Sequence, residues 1–121
     1  MSRPDIEVCI RVSSNIQSAD EIESKLGWVA DRKVSTVEAR AFFNSSLSDT
    51  DGLEEHLEHL CLKLEQHAQV VISFSSAGDE VVIWCVIYSK GAFTGFALNS
   101  DLMRRLSQID VDVVFSFYEG D

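Results

Sequence analysis

Eight consecutive apolar residues, Val81 to Tyr88, place the first constraint on how this chain folds. A run of that length without polar alternation reads as a central strand, covered on both faces or close to it. The rest of the chain must therefore supply flanking strands and at least one covering layer. From Ile6 to Val12 the even positions are apolar, with Glu7, Cys9 and Arg11 between them, the period of a half-buried strand. Val37, Ala39, Ala41 and Phe43 alternate with Glu38, Arg40 and Phe42 and predict a second strand, with residues 29–35 before it read as a loop. Phe93 to Leu98, after a turn at Lys90-Gly91, and Val111 to Tyr118 predict two more.

Three helices are expected. Ser18 stands three residues before Glu21, the spacing of a capping box, and Ile22, Leu26 and Gly27 then give a short apolar face and a left-handed stop. Asp51 and Glu54 repeat the capping spacing ahead of the longest helix. There Leu53, Leu57, Leu60, Cys61, Leu64, Ala68 and Val71 fall within an arc of roughly 100°. Regular helix is expected to at least His67, after which β-branched and serine residues weaken it. Leu102, Leu106 and Ile109 mark the third helix, from about Ser100 to Gln108.

The predicted order is β-α-β-α-β-β-α-β over residues 1–121 as a single domain. It reads as an α+β fold: a mostly antiparallel five-stranded sheet with three helices mainly on one face, a ferredoxin-like variant. The pieces Ile6–Phe43 and Phe93–Tyr118 each run strand, serine-capped helix, strand, and suggest a pseudo-duplicated β-α-β core. The chain length suffices for a core without staples, and 45% hydrophobic residues with a single proline suit ordered globular structure.

Twenty acidic residues face ten basic ones, a formal charge of −10. That field repels nucleic-acid phosphates and anionic membrane surfaces and attracts a basic partner. Cys9, Cys61 and Cys85 are scattered in apolar surroundings, which suits buried thiols in a reducing compartment rather than a disulfide framework. No apolar run is long enough to span a bilayer, and the start carries no apolar signal core, so a cytoplasmic protein is expected.

The segments GLEEHLEHLCLKLEQHAQVV (52–71), EVVIWCVIYSKG (80–91) and FALNSDLMRRLSQIDVDVVFSFY (96–118) resemble the bacterial family known as domain of unknown function 4279. The opening strand IEVCIRV and the helix ADEIESKLGW, with its Leu-Gly ending, resemble the same family. Between residues 28 and 50 the chain departs from it: no proline-bearing loop occurs, and Phe42-Phe43 stands where a tryptophan-containing strand is expected. The resemblance implies a fold and a bacterial source. It implies no activity.

The chemistry-bearing side chains do not assemble into a motif. His56 and His59 are three apart, with Glu55 four before His59, but Cys61 lies about 160° round the helix from His59. Solvent-facing histidines on an amphipathic helix are therefore expected, with no metal and no cofactor. No G-x-S-x-G occurs, all three histidines share one helix, and buried thiols are poor nucleophiles, so no catalytic residue is assigned. Gly91 to Gly95 reads as a hairpin turn. Trp28 and Trp84 belong to the core or its margin, and either could line a pocket.

What remains is charge. Residues 49–58 carry five acids and no base, and residues 110–121 carry four acids and no base. The reading favoured on this basis is a non-enzymatic protein-interaction module, an immunity or antitoxin-type inhibitor of a basic bacterial protein, with Asp49, Asp51, Glu54, Glu55 and Glu58 as its acidic face. The alternatives are a small-molecule-binding regulatory domain of ferredoxin-like shape, or a small enzyme.

Overall fold

The computed structural model describes residues 6–35, 37–47, 52–89 and 97–119. Five strands and four helices follow one another as β1 (Ile6–Ser14), α1 (Ala19–Leu26), β2 (Arg32–Ser35), β3 (Ala39–Asn44), α2 (Leu53–Glu65), α3 (Ala68–Ser76), β4 (Glu80–Ser89), α4 (Ser100–Gln108) and β5 (Asp112–Glu119). The strands form one sheet in the order β2-β3-β1-β4-β5. β1 pairs antiparallel with both β3 and β4, β2 pairs antiparallel with β3, and β4 pairs parallel with β5. The fold is α+β as expected, but the sheet is mixed, with one parallel pairing among antiparallel ones, and the described residues form four helices rather than three.

Local chemistry explains most of the boundaries. The Ser18 side chain accepts from the Glu21 N–H, while the Glu21 carboxylate accepts from the Ser18 N–H, closing both bonds of the capping box. Gly27 ends α1 in the left-handed conformation at φ 73°, where a side chain would be strained. α4 is capped by Asn99, whose Oδ1 accepts from Leu102 N–H at 2.7 Å, and not by a serine as the sequence suggested. The Asp51 cap of the longest helix is also displaced by one residue. Gly52 is the N-cap, and Glu55 accepts from its N–H at 3.3 Å.

The expected single long helix breaks after Glu65. His67 takes a non-helical φ of −124° and its N–H bonds to Leu64 O, so the axis turns before α3 begins. The break falls at Gln66 and His67, and α3 then buries Val71 and Phe74 in the core. Residues 32–35 are a strand rather than a loop. Asp31 secures it, donating its N–H to Phe42 O and accepting from Asn44 N–H through its carboxylate. The predicted strand Phe93–Leu98 and the turn at Gly91–Gly95 lie largely outside the described residues, and residues 97 and 98 are not strand. The opening strand of the second piece of the suggested pseudo-duplication, Phe93–Tyr118, lies mostly outside the described residues. After α1, β2 runs in the same direction as β1 with the antiparallel β3 between them, whereas β4-α4-β5 is a parallel crossover between neighbouring strands.

One hydrophobic cluster joins a single face of the sheet to all four helices. Ile10, Phe43 and Ile83 meet Ile22 of α1, Leu57 and Leu60 of α2, Phe74 of α3 and Leu106 of α4 within it. The apolar arc read from the sequence is the buried side of α2. β4 lies between β1 and β5 and is buried along most of both faces, as its continuous apolar run requires.

α2 and α4 are also tied by charge. Arg105 reaches Glu65 at 2.6 Å and Glu58 at 2.7 Å, and its guanidinium holds the Glu65 carboxyl below the usual carboxylate range. A carboxylate with a lowered folded pKa contributes stability that is complete above its ordinary value of 4.5 and is lost as pH falls through the lowered value. The wild type should therefore be more stable than Glu65→Gln at neutral pH, and that difference should vanish in acid. Urea midpoints of the two proteins across pH 2–7 check this, and a gap independent of pH would show that the pair acts through packing alone.

Candidate functional site

Only part of the acidic face expected from the sequence can be placed. Asp49 and Asp51 lie outside the described residues, while Glu54, Glu55 and Glu58 stand exposed on the first turns of α2. They are not equivalent. Glu55 is occupied by the cap at Gly52, Glu58 is held by Arg105, and Glu54 is exposed beside them.

Of the three histidines, expected to face solvent, His56 is buried and His59 and His67 are partly exposed. His56 is only 4% exposed and its Nδ1 lies 2.8 Å from Ser45 Oγ, while its Nε2 is buried with no partner among the described residues. His59 Nε2 lies 2.8 Å from Ser46 Oγ, and the half-buried His67 ring stands edge-on to Trp28 at 5.0 Å. The signal for His56 was present in the sequence: at 100° per residue it sits about 40° beyond Leu60, at the margin of the apolar arc. Among the described residues no three potential metal ligands converge.

The thiols are held inert. Burial pushes Cys9 and Cys61 up to about 11 and Cys85 up to about 12, so all three are protonated at neutral pH. Cys61 and Cys85 are inside the core, and Cys9 lies half-buried on the opposite face of the sheet.

That opposite face, on which no described helix packs, borders a sizeable hollow. Alternation places Arg32, Phe42, Arg11, Trp84 and Ser116 there, one from each strand in turn across the sheet. The Arg32 guanidinium lies 4.7 Å from the Phe42 ring centre, Phe42 and Trp84 are 6.2 Å apart, and Arg11 lies 5.6 Å from Trp84. Trp84 Nε1 donates to Ser116 Oγ at 2.8 Å, fixing the indole against β5. Cation–π contacts of this kind contribute about 0.5–2 kcal/mol each, and they cover apolar rings that would otherwise face water.

Beside this row, toward the end of the sheet, Tyr88 and Tyr118 stack at 6.0 Å as directly paired residues of β4 and β5. They form one wall of a cavity of about 810 Å³. Cys9, Trp84 and Val86 contribute to its lining, as do Arg32, Asn44 and His56. The volume falls within the usual range of small-molecule sites. Periodicity placed Phe42 on the outer face of its strand, and Trp84 was expected in the core or at its margin, where it could line a pocket. The concavity depends on the Ser45–Leu47 segment lying beside His56, which no local pattern encodes.

The family described as Domain of unknown function (DUF4279) matches residues 4–120, nearly the whole chain. The chain belongs to this family. No curated protein matches it, and no solved structure does. As a member of the family the chain keeps the segments on which the resemblance rested, which form β1, α1, α2, β4, α4 and β5. The family's description assigns no activity to them. Among the described residues no helix is long and apolar enough to cross a membrane.

Proposed function

We propose that this domain is a non-enzymatic interaction module that binds a basic protein, of the immunity or antitoxin type. One observation carries the reading. All eight described lysine and arginine side chains are engaged within the molecule. Arg11, Lys33, Arg40, Arg104 and Arg105 pair with carboxylates, and Lys25, Arg32 and Lys63 lie over aromatic rings. With a formal charge of −10 and its described cations paired with carboxylates or rings, the domain offers a partner a net acidic surface. Glu7, Asp31, Glu54, Asp110 and Asp112 are exposed and in no ion pair with a described residue. Such a field raises the encounter rate with a basic surface, and the effect weakens with salt.

Affinity capture from the native cell, with mass spectrometry of the captured proteins, tests the reading. An acidic or nucleic-acid partner would overturn it. Once the partner is in hand, Glu54→Lys combined with Glu55→Gln is the informative variant. It reverses one exposed charge and removes another, while the amide can still accept from Gly52 N–H; Glu58 is left to Arg105. Association should slow more than dissociation quickens. Raising salt from about 0.05 to 0.5 M, which shortens the Debye length from roughly 14 to 4 Å, should slow the wild type as well. Unchanged association of the variant would remove the α2 face from the interface.

A second reading, a small-molecule-binding regulatory domain, is favoured by the cavity beside Tyr88 and Tyr118. A buried polar atom without a partner costs about 1–3 kcal/mol, and a ligand or an ordered water reaching His56 Nε2 would relieve it. Native mass spectrometry of gently purified protein distinguishes the two readings, since a bound small molecule belongs to the second alone.

A further inference from the structure

The floor of the cavity beside Tyr88 and Tyr118 follows from the sizes of neighbouring side chains. On the face where no described helix packs, Asn44, Cys9 and Trp84 are direct cross-strand partners on β3, β1 and β4. Glu7 and Val86 form the next row, and Tyr88 and Tyr118 the one after it. Cys9 and Val86 are short, while the indole and the two phenol rings beside them are long, so the lining steps down between them. Adjacent strands lie about 4.8 Å apart, so Asn44 and Trp84 stand roughly 10 Å from each other across Cys9. That width accepts a flat ring system lying along the sheet.

The walls differ in chemistry. Trp84, Tyr88 and Tyr118 make one side aromatic, with the indole fixed by its bond to Ser116. Across from them, the exposed Asn44 side chain carries a donor and an acceptor together, and its main-chain N–H is held by Asp31 at 2.7 Å. Ser45 and the buried His56, whose Nε2 has no partner among the described residues, add further polar groups to the lining. A carboxamide of this kind matches the edge of a nitrogen heterocycle, as asparagine matches adenine. The charges decide against an anion. Glu7 and Asp31 are exposed carboxylates, and Arg32, the one guanidinium in the described lining, lies on the Phe42 ring.

We propose that this cavity binds a neutral, flat heteroaromatic molecule of nucleobase type. The ring stacks against the wall of Trp84, Tyr88 and Tyr118, and its polar edge meets Asn44. The proposal rests on the small-molecule reading, for which it names the ligand class, and draws nothing from a basic partner.

The test uses the full chain and a set of small probes. Adenosine and nicotinamide are neutral heteroaromatics, AMP and nicotinate are their anionic counterparts, and cyclohexanecarboxamide keeps the amide but lacks the aromatic ring. Proton–nitrogen NMR reads the Asn44 side-chain amide and the Trp84 indole N–H. Adenosine and nicotinamide should move both signals, with dissociation constants of about 1 mM or below. The anions and the saturated amide should each bind about tenfold more weakly than their neutral aromatic counterparts. Asn44→Leu and Tyr118→Ala should each weaken adenosine about tenfold. Both alter exposed side chains and should leave the protein folded, which the same spectra report. Glu7→Gln should tighten AMP a few-fold and leave adenosine unchanged.

Four results overturn the proposal. Binding of cyclohexanecarboxamide or nicotinate as tight as that of nicotinamide would discard the ligand class and leave the small-molecule reading standing. Adenosine that binds without moving the Asn44 and Trp84 signals would place its site elsewhere. Nuclear Overhauser contacts that seat another part of this chain between Asn44 and Trp84 would assign the cavity to the chain itself. Absence of shifts with every probe would sink the proposal, and if native mass spectrometry then found no retained small molecule, the small-molecule reading would fail with it.

Discussion

Leu60→Asp, and equally Leu57→Asp, should abolish folding. Both leucines are fully buried where α2 meets the sheet, within the cluster that includes Ile10 and Ile83. Each substitution removes the transfer free energy of a buried leucine, about 1.5–3 kcal/mol, and forces in a carboxylate without a partner. The effective penalty for an unpaired buried charge is itself several kcal/mol. Against a total stability of about 5–15 kcal/mol for a domain, these losses together exceed the margin or come close to it. Far-UV circular dichroism and a thermal melt decide the matter. A variant that keeps the wild-type midpoint would mean that α2 does not dock on the sheet through this face.

Phe43→Ala should cost about 3–5 kcal/mol, while Phe42→Ala should cost clearly less. The two residues are neighbours on β3, and strand alternation sends them to opposite sides of the sheet. Phe43 enters the helix-covered core opposite Ile10 and meets Trp28 edge-on at 5.5 Å, so truncation leaves a void that surrounding helices can fill only partly. Phe42 lies beneath the Arg32 guanidinium, whose flexible stem can settle into the space. Urea denaturation of the two variants separates them. Equal costs would indicate that the Arg32-covered side is as rigidly packed as the core.

These neighbours also show what the sequence could tell. Alternation in residues 6–12, the box at Ser18 and Glu21, and the stop at Gly27 each act within a few residues, and each is found in the fold. The alternation expected from Val37 holds only from Ala39, where β3 begins, and leaves Val37 exposed. The arc from Leu53 to Val71 marked the buried side correctly, though it continued smoothly through Gln66 and His67, where the axis turns. Propensity there was indifferent, and tertiary packing of Val71 and Phe74 decided the break. β2 was missed because Arg-Lys-Val-Ser has no apolar alternation. Its pairing is fixed by Asp31 and by the neighbouring β3, information held outside the four residues themselves.

The site was less legible than the fold. Counting charges gave the acidity, yet the pairing of Glu58 with Arg105 joins residues far apart in the chain. That bond removes Glu58 from the face to which spacing had assigned it. His56 read as an exposed helix residue because its partner, Ser45, belongs to a segment without periodicity. The place of β5 at the end of the described sheet likewise follows from topology, since no local pattern says which strand lies beside which.

The place of β1 in the middle of the sheet has a further consequence during synthesis. β1 can pair with β3 once Asn44 has left the ribosome, but its other neighbour begins only at Glu80. At about 5–20 residues per second the nascent chain waits roughly 2–7 s with one side of its future central strand unpaired. During that interval the alternating face of Ile6, Val8, Ile10 and Val12 has neither β4 nor the completed helical layer over it. Translation speed through residues 45–79 thus sets how long the half-made sheet stays open to misassociation.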